Sequence, residues 1–255
     1  MTEDSGPELI ESTRRSFAIV ETLRELDGAR LTEVAAACDL PNSTVYNHLA
    51  TLIKCGYVVR EDDTYRLSLR FLRLGEYTRG RLKLYDVGRS EAGNVAETTG
   101  EVASIIVEES GFGVHICSID GPNSVPLDTR VGKRVRLHAT APGKCILAGL
   151  PDERVEEILD SNELVAYTEN TITDRGALSA EIATVRERGI AYDWEEQVNG
   201  IARIAAPVRT ETGKVLGALG ISGPIQRFSD AEVMAEYVES LHEATNIIEL
   251  KLAYS

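Results

Sequence analysis

Residues 31–60, LTEVAAACDLPNSTVYNHLATLIKCGYVVR, constrain the fold more than any other stretch, because two short helical patterns joined by a brief break run straight into a strand-like segment. Leu31, Val34, Ala35 and Cys38 repeat at helical spacing, and Thr32 stands where a hydroxyl could cap free amides. Leu40-Pro41-Asn42 interrupts that pattern, since proline drives the preceding residue out of the helical region. Ser43 is then placed to cap a second helix with Val45, Leu49 and Leu52 inward, and Gly56 to end it. Residues 57–60 and 64–68 read as two strands around Glu61-Asp62-Asp63, the shape of a wing hairpin. Ser43, Thr44, Tyr46, Asn47, His48, Thr51 and Lys54 leave a polar helix face able to hydrogen-bond bases and phosphates, which makes double-stranded DNA the expected partner. Residues 12–27 read as a preceding amphipathic helix with Phe17, Val20, Leu23 and Leu26 inward. Its Arg14 and Arg15, Thr32 on the next helix, and Arg60 and Arg66 of the wing complete the expected DNA-contact set. Such helix pairs also occur as plain packing units, so from these residues alone both readings stay open.

Charge runs against that expectation. The chain of 255 residues carries 27 basic and 41 acidic residues, a formal net charge of −14. Residues 1–78 alone hold nine Arg/Lys against thirteen Asp/Glu, so the DNA-binding half is acidic too. Arginine outnumbers lysine 21 to 6 and aromatics are scarce, which together fit a protein adapted to a salt-filled cytoplasm. In strong salt, counterion release adds little to DNA affinity, and base-edge contacts must carry more of it. The start, MTEDSGPELIEST, is acidic and polar, unlike a secretory signal, and no run approaches the eighteen or so apolar residues of a membrane span. A cytoplasmic location without a membrane partner is expected. Cys38, Cys55, Cys117 and Cys145 form no CxxC pair and have no histidine at metal spacing, so neither metal nor disulfide is expected and all four read as small buried residues.

Residues 69–100 run without proline and read as a linker helix, about 70–85, with a joint near Gly80, followed by the first helix of a second domain. From Glu101 the period changes to two: residues 101–110, 111–120 and 123–131 read as antiparallel strands with turns at Gly111 and Gly121. Helices are expected over 142–150, 151–159 and 174–188, strands over 190–194, 201–208 and 215–222. A last helix is expected from a capping box at Ser229 and Glu232, with Val233, Tyr237, Leu241, Ala244 and Ile248 on one face. The fold class is α+β, an all-α-type winged helix-turn-helix domain over 1–78 and an α/β domain with a central antiparallel sheet over 86–255.

Three stretches in this order, the winged helix above, LHATAPGKCILA at 137–148 and RGIAYDWEEQVNGIARIAAPVRTETGKVLGALGISGP at 188–224, resemble the IclR family of transcription regulators. The likeness covers nearly the whole chain. It implies that the second domain is GAF-like and binds a small metabolite, and that the protein works as a homodimer or homotetramer. Matched to the family motifs, Ala141, Pro142, Gly143, Asp193, Arg203, Gly220 and Ser222 would line the effector pocket. Arg203 stands where many members have cysteine and Gly220 where many have serine. The helix beginning near Pro142 offers amides at Gly143 and Lys144 to an anion. An arginine fork suits a carboxylate, so a small hydroxylated or keto acid is expected, with Gly220 leaving room for it. The alternative is that Arg203 pairs internally with Asp193 or points to solvent. His115, His138 and His242 read as satisfied structural histidines, and Lys144 as structural. Glu195 and Glu196, adjacent on a strand, would point to opposite faces and cannot share a substrate. No cofactor and no catalytic constellation is expected.

Overall fold

The computed structural model describes residues 9–254; the acidic opening, residues 1–8, lies outside them. The chain divides into two compact units, one ending at Arg79 and the other beginning at Gly80.

In the first unit, α1 (Glu11–Glu25), α2 (Leu31–Cys38) and α3 (Asn42–Lys54) precede a hairpin of β2 (Val58–Glu61) and β3 (Thr64–Leu67), and α4 (Arg70–Arg79) follows. A two-residue strand, β1 (Ala29–Arg30), adds to β3 and gives the order β1-β3-β2. The core is Ile19, Leu23, Val34, Ala35, Val45, Leu49, Val58 and Tyr65. The inner face of α1 differs from the periodic reading: Ile19 and Val20 are buried, whereas Phe17 is 65% and Leu26 45% exposed. Ser16 takes the inner position one turn before Ile19 and Val20, where its hydroxyl meets His48 Nδ1 at 2.8 Å, and this rotates Phe17 outward. Both expected hydroxyl caps are also corrected. Arg30 precedes α2 and its N–H donates to the Glu33 carboxylate at 2.7 Å, leaving Thr32 inside the first turn. Pro41 precedes α3, which puts Ser43 within the helix. Asp39 adopts the left-handed conformation, φ 52°, and with Leu40 and Pro41 makes the turn.

The expected 70–85 helix is two helices. α4 stops at Arg79, and α5 (Lys83–Thr99) starts only after an extended Leu82. The second unit continues with β4 (Val102–Glu109), β5 (Phe112–Ile119), β6 (Arg134–Arg136), a 3-10 turn at Leu137–Ala139, α6 (Ala141–Gly149), α7 (Asp152–Ser161) and α8 (Arg175–Arg188). It is completed by β7 (Ala191–Trp194), β8 (Ile201–Arg209), β9 (Val215–Pro224), the short α9 (Ile225–Phe228) and α10 (Ala231–Ala253). The six strands form one antiparallel sheet in the order β6-β5-β4-β9-β8-β7. Residues 123–131 are not a strand; Pro126 lacks the N–H a ladder needs, and the third strand is the short β6 instead. The cap of α10 is Asp230, whose carboxylate accepts from Glu232 and Val233, while Ser229 turns back to Ile225.

Both faces of the sheet are covered. Ala103, Ile105, Ile204, Ala206, Leu219 and Ile221 belong to the core that includes Val95 of α5 and Leu241 and Ile248 of α10. Ile106, Ala205 and Ala218, from the alternate phase of the same strands, belong to the core with Ile146 of α6, Val155 of α7 and Leu178 of α8. Two-sided burial explains the nearly unbroken apolar runs of β8 and β9, in which Arg203 and Ser222 are the buried polar exceptions.

Candidate functional site

The polar face of α3 survives in three dimensions, with specific losses. Tyr46 is 57% exposed, and Ser43, Asn47, Thr51 and Lys54 are exposed beside it, with Thr44 half-buried. His48 leaves the candidate DNA-contact set, because its half-buried ring is turned to Ser16 on α1. Thr51 Oγ1 donates to Asn47 O at 2.8 Å. Every arginine expected to meet phosphate is already held by acidic groups of the chain. Glu11 bonds Arg14 at 2.7 Å and Arg15 at 3.0 Å, and these two arginines hold its carboxyl down at about 2. On the wing, Arg60 meets Asp63 at 3.1 Å, and Arg66 lies 3.5 Å from Glu61 while donating to Asp27 O. Exposed ion pairs contribute little to stability, so these arginines can exchange a carboxylate for a phosphate at small cost.

In the second unit, register brings the expected residues together. Asp193, Arg203 and Ser222 are cross-strand partners on β7, β8 and β9, so their side chains share one face of the sheet. The next row on that face is Ala191, Ala205, Gly220, Ser104 and Ser118. α6 covers it: a Cβ at Gly220 would stand 2.8 Å from Pro142 Cγ, so Gly220 admits the proline ring and does not leave room for a larger ligand. The amides at the start of α6 are not open to an anion either. Gly143 N–H donates to Thr140 Oγ1 at 3.1 Å and Lys144 N–H to Thr140 O at 2.9 Å, because Thr140 caps the helix. Ala141, Pro142 and Gly143 are buried and act through shape.

Arg203 is 7% exposed, and its Nη1 donates to Asp193 Oδ2 at 2.7 Å. Internal pairing, the alternative left open by the sequence, is thus present, but it occupies one guanidinium nitrogen. Asp193 is fixed in turn by the N–H of Glu196 at 2.7 Å. Nε and Nη2 of Arg203, and the hydroxyls of Ser104 (2% exposed) and Ser222 (3% exposed), have no protein hydrogen-bond partner among the described residues. Ser118 donates to Thr129 Oγ1 at 2.8 Å. None of these unpartnered atoms is sealed from solvent, so the row is a polar surface that water or a polar molecule can meet.

Charged and titratable residues flank the cluster. Lys144, 1% exposed, pairs with Glu196 at 2.5 Å and lies 3.7 Å from Glu181. Burial raises the Glu196 carboxyl from its ordinary value, against the pull of the Lys144 ammonium. Glu195 ends outside the strand with φ 58° and accepts from Gly200, so the two glutamates serve separate partners. His138 is a satisfied structural histidine, bonded to Val165 O at 3.1 Å. His115 is not: it is 6% exposed and its buried Nδ1 has no partner among the described residues. Burial first, then the charges of Lys133 and Arg203, lower its pKa to about 4. The unfolded chain takes up that proton near pH 6.5. Stability from the neutral ring is therefore complete above about pH 6.5 and is lost as pH falls toward 4, by about 3 kcal/mol in all. Urea unfolding of His115→Leu should show a correspondingly flatter midpoint profile than wild type across that window; parallel profiles would contradict it.

The fold has clear relatives. The family model described as "Bacterial transcriptional regulator IclR C-terminal" matches residues 80–250, and the "IclR helix-turn-helix domain" matches residues 12–62. The chain belongs to the IclR family. A full-length relative is the "Probable HTH-type transcriptional regulator ArcR" of Halobacterium salinarum, 33% identical over 96% of this chain and 95% of that one. The HTH-type transcriptional regulator KdgR of Escherichia coli is also 33% identical, over 98% and 96%. Among solved structures, an IclR homolog from Microbacterium hydrocarbonoxydans complexed with 4-hydroxybenzoate superposes with a TM-score of 0.82 at 26% identity, covering 96% of this chain and 100% of that one. This IclR-family chain is a transcriptional regulator with a helix-turn-helix unit and a C-terminal effector-domain fold. Four members of its buried polar cluster, Ser104, Ser118, Thr129 and His115, were not singled out from the sequence as pocket residues. Ser104 was accessible in principle, as a lone hydroxyl in phase with Val102 and Ile106.

Proposed function

We propose that this regulator binds a small organic acid on the α6-facing side of its C-terminal sheet and changes its affinity for double-stranded DNA in response. Arg203 carries the reading. A buried guanidinium has five N–H donors, and with Asp193 on Nη1 the Nε/Nη2 edge remains, which is fork geometry for a carboxylate. Asp193 positions the fork, Ser222 adds a hydroxyl in the same row, and Ala141, Pro142 and Gly143 close the site from α6. The 4-hydroxybenzoate bound to the structural relative is itself a hydroxylated acid, which supports this class of effector. On the DNA side, Tyr46, Asn47, Ser43, Thr44 and Thr51 read bases, while Lys54, Arg14, Arg15, Arg60 and Arg66 meet phosphate. Cys145, the thiol on α6, is pushed up to about 12 by burial, which does not suit a nucleophile.

The working form is a homodimer or homotetramer. α4 buries no residue in its own unit and leaves Leu72 and Tyr77 65% and 70% exposed, a surface suited to a second copy. The protein acts in a salt-rich cytoplasm, a reading supported by the net charge of −14 and by the Halobacterium relative. No described helix is long and apolar enough to cross a membrane.

A thermal-shift series of small acids in molar potassium chloride tests the effector site. An acid at 100 times its Kd should add about 2.7 kcal/mol of stability to wild type. Arg203→Ala should show no shift with any carboxylate, and an unchanged shift would remove Arg203 from the site.

A further inference from the structure

We infer that His115 is a specificity residue of this site, hydrogen-bonding a hydroxyl at the end of the ligand away from its carboxylate, so that the ligand class is a hydroxylated monocarboxylate. The inference rests on the acid-binding reading above and adds the far end of the molecule. His115 reaches the α6-facing side through a bulge. Ile105 pairs with Cys117, but Ile106 pairs with His115, so Ile116 is an extra residue on β5. His115 and Ser118, an odd number of positions apart, are thereby opposite Ile106 and Ser104, which share the face of Gly220 and Arg203. His115 and Arg203 therefore lie on one face of the sheet, two rows apart along the strands.

The chemistry of the far end follows from what surrounds the ring. A neutral imidazole offers one donor and one acceptor, and the buried Nδ1 has neither role filled by the protein. A ligand hydroxyl can fill either role. A second carboxylate would need a cation, and the nearby Lys133 is committed to Asp128, at 2.9 Å to its carboxylate and 2.7 Å to its carbonyl. An apolar tail would leave Nδ1 buried and unpaired, the circumstance under which a site rejects an analogue lacking the hydroxyl. The remaining polar lining, Ser104 and the Ser118–Thr129 pair, consists of hydroxyls, which suits a polyhydroxylated chain.

Three six-carbon acids separate the possibilities: D-gluconate, hexanoate and adipate, each titrated by thermal shift against wild type, His115→Leu and His115→Gln. Wild type should prefer gluconate to both others by about tenfold or more in Kd. His115→Leu should bind gluconate and hexanoate alike while keeping the wild-type shift with hexanoate, and His115→Gln, whose amide can accept or donate, should restore the preference. In wild type labelled with 15N-histidine, gluconate and not hexanoate should move the His115 imidazole resonances, a readout that needs no variant to fold. Full preference for gluconate in His115→Leu, or a wild type that prefers adipate or hexanoate, would overturn the role of His115 and leave the acid site intact. No shift with any of the three acids would overturn both readings.

Discussion

Lys144→Met should destabilise the C-terminal unit by about 3–5 kcal/mol, the usual consequence of removing one partner from a buried ion pair. Lys144 is 1% exposed and Glu196 6% exposed, so the carboxylate left behind loses its cation and has little access to water, and its Oε2 has no partner even in the intact pair. Its escape is to keep a proton. With the folded-state pKa raised further above the unfolded value of about 4.3, the variant should be closest to wild type at low pH and should lose stability as pH rises through and beyond that value. Adding Glu196→Gln to Lys144→Met removes the uncompensated charge and should recover most of the loss, since such pairs can be replaced by uncharged groups at little net cost. Urea denaturation of the two singles and the double at pH 5 and pH 8 checks this. Additive losses in the double variant would contradict a coupled pair.

Gly143→Ala should have the second large effect, about 3 kcal/mol or more, through overpacking. A Cβ at 143 would stand 2.1 Å from Leu137 O, 2.6 Å from its Cα and 2.7 Å from its C, all backbone atoms of the 3-10 turn that feeds α6. The start of α6 has to move, which lifts Pro142 from Gly220 and opens the lid of the polar face. Acid binding should therefore fall together with stability. Gly75→Ala is the control. It sits exposed inside α4 with open space around its Cβ position, and should stabilise by up to about 1 kcal/mol through helix propensity alone. Equal behaviour of the two variants would show that the tight approach of α6 to Leu137 is not real.

The helix-turn-helix, the wing and nearly every strand of the second unit were legible, because two-sided burial and amphipathic helices leave strong periods. Errors fell on local competition: Phe17 is in plausible helical phase, yet Ser16 faces inward because of His48, thirty-two positions away. Thr32, Ser43 and Ser229 were reasonable caps displaced by Arg30, Pro41 and Asp230, which no periodicity can distinguish. In the candidate effector site, Asp193, Arg203 and Ser222 were placed by resemblance and share one row of the sheet. The Lys144–Glu196 pair spans 52 positions, and His115 joins the face through a bulge, so neither follows a local pattern. Part of the acidity of the DNA-binding unit has a form: Glu11, Glu61 and Asp63 are exposed carboxylates paired with arginines that phosphate could claim.

On the proposed reading, acid bound at Arg203 controls DNA affinity. Its direct measurement is a binding titration on the gene's own upstream DNA in molar potassium chloride, with and without the acid giving the largest thermal shift. Affinity should change about tenfold or more in wild type. It should not change in Arg203→Ala, and Tyr46→Ala/Asn47→Ala should bind DNA more weakly with acid binding intact. A change of less than about twofold in wild type at every salt concentration, far below the usual range of allosteric coupling, would contradict it.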